Sequence, residues 1–188
     1  QYWMQENLRT AHFSDGSVIQ EMEFNMDWPY TGNRGNRGAT GMAAWCYFER
    51  SSGYNYPYGK LYNWYAIADP HNVCPAGWHV PSDEDFQILS DDLGGDSISG
   101  THMKPIKIWK EYHAEYADNA SGFNALPAGI RYRGGSYDRA GADGADFWTS
   151  SSYGRHSAVC RSLYYGGSNF GHSYLDRRSG LSVRCVKN

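Results

Sequence analysis

Side chains with the means to grip a ligand crowd into the C-terminal quarter of the chain. From Tyr153 to Tyr174, Tyr, Arg, His, Ser and Asn are interspersed among glycines. Tyrosine supplies rigid amphipathic contact area, and Ser, Gly and Asn supply adaptable hydrogen bonding, so this mixture suits recognition better than bond making or breaking. An ordinary polar loop is the competing reading. Binding is preferred because so many large residues recur where periodicity assigns them to no core.

The patterns of bond-breaking chemistry are missing from the sequence. No GxSxG, HExxH or nucleotide-binding loop occurs, and Asn33-Arg34-Gly35-Asn36-Arg37-Gly38 lacks the Lys-Ser/Thr of a phosphate loop, so it reads as two exposed turns. His79, His156 and His172 have no neighbour in sequence that makes a triad or a metal site legible. Glu111, Glu115, Asp118 and Asn119 offer oxygen ligands for calcium but not in EF-hand order, and surface acids are the commoner explanation. The expectation is a protein that is not an enzyme and holds no cofactor or metal.

Four cysteines, Cys46, Cys74, Cys160 and Cys185, allow three pairings if all are oxidised. Their spacing matches no compact zinc signature. The even number, the Tyr/Trp/Gly-rich composition and the scarcity of lysine favour an oxidising, extracytoplasmic compartment, secreted or on a bacterial cell surface.

Several elements must position these residues. Leu61, Trp64, Tyr65 and Ala68 fall at helical spacing, and Asp69-Pro70 ends that helix. Ser82 is a good N-cap with Asp85 three residues on, so Asp83, Glu84 and Asp85 read as a dipole-matched helix start rather than metal ligands. Phe86, Leu89 and Leu93 give that helix its buried stripe, and Gly94-Gly95 stops it. Tyr2-Trp3-Met4, Val18–Phe24, Ile130–Arg133, Ala145–Ser150, Ala158–Tyr165 and Leu181–Val186 read as strands. Gly94–Gly100 and Gly166–Gly180 read as loops, the second carrying much of the recognition set.

The 188 residues, with seven Trp, seven Phe and sixteen Tyr, suffice for one domain with a sizeable core. The net charge of −3 hides an asymmetry: residues 150–188 carry six Lys/Arg and one Asp/Glu, the remainder eleven and nineteen. The basic tail faces either an acidic ligand or its own acidic domain. It is too short and irregular for a nucleic-acid motif. No apolar run reaches transmembrane length, no signal peptide is recognisable, and the abrupt start at Gln1-Tyr2-Trp3 reads as a trimmed or mature chain.

Four segments, in order, carry a family resemblance: Tyr2–Thr10, Tyr58–Asp85 with its LYNWYA and CPAGWHVPSD cores, Ser121–Arg131, and Phe147–Ser151 joined to Ser182–Val186. Together they resemble the Fibrobacter succinogenes major paralogous domain, a family of secreted or surface proteins. The resemblance implies an α+β, C-type-lectin-like fold of the formylglycine-generating-enzyme branch. It would have two helices, Leu61–Ala68 and Asp83–Leu93, and a small twisted antiparallel sheet with long irregular loops, as a single domain over 1–188. It also implies a Cys74–Cys185 disulfide, with Cys46–Cys160 as a second pair. Cys160 and Cys185 do not reproduce the closely spaced reactive cysteines of the formylglycine-generating relatives. The 153–178 segment further resembles the variable regions of lectin-fold proteins diversified by retroelements, and that likeness makes ten residues candidate contacts: Tyr153, Arg155, His156, Arg161, Tyr165, Asn169, Phe170, His172, Tyr174 and Arg177. The expected partner is a protein, with a surface glycan as alternative; the calcium-binding EPN or QPD tripeptide of classical lectins is missing. A structural role in a larger surface assembly is the third reading.

Overall fold

The computed structural model describes residues 1–23, 41–109, 116–140 and 143–188. The expected turns at 33–38 and the possible ligands Glu111 and Glu115 lie outside the described residues. In chain order the elements are β1 (Gln20–Glu21), β2 (Ala44–Cys46), two short 3-10 turns, α1 (Asn55–Tyr58), β3 (Leu61–Tyr62), α2 (Trp64–Ile67) and β4 (Trp78–His79). There follow α3 (Asp83–Asp92), α4 (Ser99–Met103), β5 (Ala128–Arg131), β6 (Tyr137–Ala140), β7 (Gly144–Tyr153), β8 (Ser157–Tyr164), β9 (Phe170–Asp176) and β10 (Val186–Lys187). The class is α+β. Among the described residues the strands form small sheets, β1-β2-β3, β10-β4, β5-β6 and β7-β8-β9. Of these strand pairs β1–β2 is parallel and the others antiparallel; Phe147 also makes a parallel bridge to Ser182.

The α3 start forms as its residues dictate. Ser82 Oγ accepts from the Asp85 amide at 3.1 Å, and Asp85 Oδ2 accepts from the Ser82 amide at 2.8 Å, a complete capping box. The other expected helix shortens to a single turn. Leu61 and Tyr62 pair as β3 with β2, and Asn63 caps α2 by accepting from the Ala66 amide. The Asn63 side chain also donates to Met42 O and accepts from the Ala44 amide. One amide group thus fixes three backbone groups, at a position where helical spacing suggested an uninterrupted helix.

β7 divides the core. Phe147 and Trp148 are both fully buried but on opposite faces of the strand. Phe147 joins Phe86, Met103, Trp109, Phe123, Leu163 and Phe170 under α3. Trp148 joins Tyr62, Trp64, Ile130, Leu181 and the Cys74–Cys185 pair on the other side. The buried indoles find acceptors: Trp148 Nε1 donates to Tyr62 O, Trp64 Nε1 to Thr149 O, Trp45 Nε1 to Ile19 O and Trp109 Nε1 to Ala125 O, all at 2.8–3.0 Å.

Cys74 and Cys185 form the expected disulfide, Cα atoms 6.0 Å apart, closing 111 residues of chain. The second expected pair does not form. Cys46 is buried in the β2 layer against Phe48 and Leu61, and Cys160 in the cluster of Trp148, so the two thiols sit in different parts of the core. Leu181–Val186 is also not the half-exposed strand that its alternation predicts. All six residues are buried, because the segment threads between the N-terminal arm and β7: Leu8 N donates to Val183 O, Met4 N to Cys185 O, and Trp148 N to Ser182 O.

Arg184 on this segment is fully buried. Its guanidinium lies 4.4 Å from the Phe123 ring centroid and donates to Asn7 Oδ1, Asn124 O and Phe123 O. Burial pulls its pKa down to about 9, which leaves it charged at neutral pH. Part of the basic excess of the tail is therefore interior structure.

Candidate functional site

The segment read as a loop, 166–180, contains β9, the edge strand of the β7-β8-β9 sheet. Glycine, serine and histidine dominate Phe170–Ser173 and mask the strand pattern. Pairing with β8 sets the register: Leu163 opposite Phe170, Arg161 opposite His172, Val159 opposite Tyr174. Side chains directly opposite one another share a face of the sheet. One face of this sheet therefore carries Leu163, Phe170, Arg161, His172, Val159 and Tyr174 in succession.

Helix α3 covers only the first part of that face. Beneath it Phe170 is 1 % exposed, packed 5.5 Å from the Phe86 ring. Arg161, also 1 % exposed, reaches α3 and the segment after it: Nε donates to Asp83 Oδ1 at 2.6 Å, Nη2 to Gln87 Oε1 at 2.9 Å, and Nη1 to both Asp96 carboxylate oxygens at 3.2–3.3 Å. Neither residue is available to a ligand. Both expectations are corrected for the same reason: the register aims them at the helix.

Beyond the helix the same face reaches solvent. Tyr174 and Tyr153 are 46 % and 53 % exposed, and their rings stack with centroids 3.8 Å apart and planes 21° from parallel. His172 meets the Tyr174 ring edge-on at 5.1 Å, and its Nε2 lies 3.6 Å from Asp83 Oδ2. Asp83 thus touches both the buried Arg161 and the exposed His172. The exposed Arg155 and His156 occupy the adjoining β7–β8 hairpin turn.

Arg177 lies behind this patch. Its Nε donates to Ser157 O at 3.2 Å and Nη2 to Gly154 O at 3.1 Å, while the guanidinium sits 4.3 Å from the Trp64 ring centroid. It holds the hairpin turn to the core. At the strand end Arg178 grips Asp176 through two hydrogen bonds of 2.7–2.8 Å, and Arg133 Nη1 approaches the same carboxylate at 3.4 Å. Burial raises the Asp176 pKa, but the Arg178 hydrogen bonds outweigh it and hold the carboxyl below its ordinary value.

Tyr165 and Asn169 lie at the other end of the sheet. Tyr165 is half-buried against the α3-side core, 4.4 Å from the exposed Tyr164. Asn169 is exposed on the β8–β9 turn. That turn is clamped: the buried Lys104 Nζ donates to Tyr164 O at 2.8 Å and Gly167 O at 2.5 Å, Ser168 Oγ donates to Ser97 O, and Phe170 N to Asp96 O. Burial holds the Lys104 ammonium down to about 8.

The ten sequence-predicted residues thus divide. Tyr153, His172 and Tyr174 form one exposed cluster with Arg155 and His156 beside it; Arg161 and Phe170 are interior; Arg177 is a support; Tyr165 and Asn169 stand apart. Four residues at the site were not among the ten: Asp83, expected only as part of a helix start, Arg178, expected only as part of the 166–180 loop, and Arg133 and Tyr164, which carried no signal of a site role in the sequence. Among the described residues no group of three or more His, Cys, Asp or Glu side chains is arranged to hold a metal ion.

An α+β module with an aromatic patch on the uncovered end of one sheet is the class that these features define. The profile of the Fibrobacter succinogenes major domain matches residues 1–187, and the chain belongs to that family. No curated protein and no solved structure matches the chain. Among the described residues no helix is long and apolar enough to cross a membrane.

Proposed function

We propose that this chain is a non-catalytic, extracytoplasmic binding module of C-type-lectin-like architecture, a single domain that recognises a protein ligand through the outer end of the β7-β8-β9 sheet. The observation that carries this reading is the exposed stack of Tyr153 on Tyr174, with His172 against its edge. Aromatic rings fixed by their neighbours lose little conformational entropy on binding, so their contact area converts efficiently into affinity. The Cys74–Cys185 disulfide supports an oxidising compartment. The candidate contacts on this reading are Tyr153, Arg155, His156, His172 and Tyr174.

Tyr153→Ala and Tyr174→Ala, screened with the wild type against an array of surface proteins and glycans, test it. Loss of a wild-type signal in both variants, with unchanged melting temperatures, is the expected result. A wild-type signal that survives both substitutions removes the patch from the function. A glycan signal in place of a protein signal favours calcium-independent sugar binding, for which tyrosine faces beside Asp83 and Arg155 are also suited. Loss of a multimeric assembly without loss of array binding favours the structural role.

A further inference from the structure

The backbone at the same site carries information beyond its side chains. β9 is the outer strand of its sheet, and the direction of its peptide groups follows from two independent sets of hydrogen bonds. On β7, Trp148 N and Asp146 O pair with Ser182, on the side away from β8. Phe147, the residue between them, therefore turns its peptide groups towards Arg161, its partner on β8. Arg161 spends its own groups on β7, so the Arg161–His172 and Val159–Tyr174 pairs are the non-hydrogen-bonded kind. Independently, Phe170 N, at the same parity, donates outward to Asp96 O. Both lines place the N–H and C=O of His172 and of Tyr174 on the outer edge. Among the described residues none of these four groups has a backbone partner.

The ends of this edge are closed by the protein itself, by Asp96 O accepting from Phe170 N and by Ser179 N donating to Asp176 O. Between them lies an open window with donor–acceptor sets two residues, roughly 7 Å, apart. A run of unpaired groups on an edge strand is a template for another strand, and proteins commonly blunt such edges with proline, bulges or cover. Here the strand has no proline and no register shift, nothing among the described residues bonds to the window, and it is continuous with the Tyr153–Tyr174–His172 patch.

We propose that this edge binds an extended polypeptide segment of the partner by strand addition, as a fourth strand of the β7-β8-β9 sheet. The inference rests on the recognition reading above and adds the form of the ligand. Main-chain hydrogen bonds to His172 and Tyr174 supply register, and alternate side chains of the incoming strand pack against Tyr174 and His172. Charge further narrows the segment. Arg133 and Arg178 converge on Asp176 at one end of the window, with Arg155 exposed on the neighbouring hairpin, whereas Asp83 and Asp96 lie at the other. The segment that fits has an aromatic or aliphatic residue over Tyr174 and a carboxylate at the Asp176 end.

The test is selection of linear peptides from a random phage-displayed library on the intact protein, followed by amide hydrogen exchange with a selected peptide. The expected result is a binder with an acidic residue at one end that slows exchange at His172 and Tyr174 at least tenfold, with Ser173 unchanged. Tyr174→Pro removes the outward N–H where an edge strand tolerates proline, and should weaken the peptide at least tenfold beyond Tyr174→Ala, which keeps it. If the proline variant does not fold, peptides N-methylated at alternate positions make the same comparison on the wild type, with loss at one parity expected. Failure to select any peptide, binding without protection of the two amides, or insensitivity to N-methylation overturns strand addition. If the array ligand is meanwhile lost in Tyr153→Ala, the recognition patch stands and only the strand-addition mode falls.

Discussion

The Arg161 guanidinium donates to Asp83 Oδ1 at 2.6 Å, and the other oxygen of that carboxylate lies 3.6 Å from His172 Nε2. A buried cation on β8, the first residue of α3 and an exposed residue of β9 are thereby tied through one carboxylate. The helix cap and the recognition patch share a structural member.

Removing that cation should be expensive. Arg161→Met strands Asp83, Asp96 and Gln87 beside an apolar side chain, and loss of one partner from a buried ion pair typically costs about 3–5 kcal/mol. Asp83 and Asp96 are part-exposed and regain water, so a loss of about 3 kcal/mol in urea unfolding is expected. A loss under about 1 kcal/mol would show that the network contributes little.

The disulfide should matter more to stability than to the patch. Cys74 and Cys185 close 111 residues, for which the chain-entropy treatment gives about 4–5 kcal/mol. Cys74→Ala with Cys185→Ala should lower the unfolding free energy by several kcal/mol while the remaining folded protein still binds the array ligand.

Gly100 should not accept a methyl group. A Cβ there would sit 2.6 Å from Asn169 O and 2.8 Å from Ser168 O, both backbone atoms that cannot swing aside. Gly100→Ala is expected to cost about 1–3 kcal/mol and to shift the amide resonances of 167–170, with those of Tyr153 unmoved.

Lys104 predicts a pH dependence of definite sign. Burial holds it down to about 8, whereas a lysine in the unfolded chain titrates near about 10.4. Between these values the unfolded chain binds more protons, so this residue's contribution to stability improves as pH rises through the window. The difference in unfolding free energy between wild type and Lys104→Met should move in favour of wild type from pH 8 upward. A difference independent of pH would falsify the assignment.

The parts of the fold legible in sequence are those set by neighbours in the chain. Ser82 and Asp85 form their capping box whatever packs on α3, and the apolar run around Phe147 and Trp148 makes β7 in almost any surroundings. The disulfide was legible only through family resemblance, since spacing left three pairings open. β9 was hidden because an edge strand with Gly171, His172 and Ser173 lacks the apolar alternation of a half-buried one. α4 was hidden because Ser99-Gly100-Thr101 are poor helix formers, held by contact with the 168–169 turn. Arg161 and Arg184 misled for a related reason. Charge suggests a surface, and only the tertiary partners Asp83, Asp96, Phe123 and Asn7 make burial tolerable. The site was half legible: its aromatic residues stood out, but which of them emerge from under α3 depends on a register fixed across three strands.

The two core cysteines outside the disulfide give the molecule an intrinsic clock. Burial pushes the Cys46 thiol up in pKa, and neither Cys46 nor Cys160 is accessible in the native state, so an alkylating reagent can modify them only when the structure opens. Their labelling rates therefore time local opening in two separate layers of the core, one at β2 and one at β8, without any engineered probe.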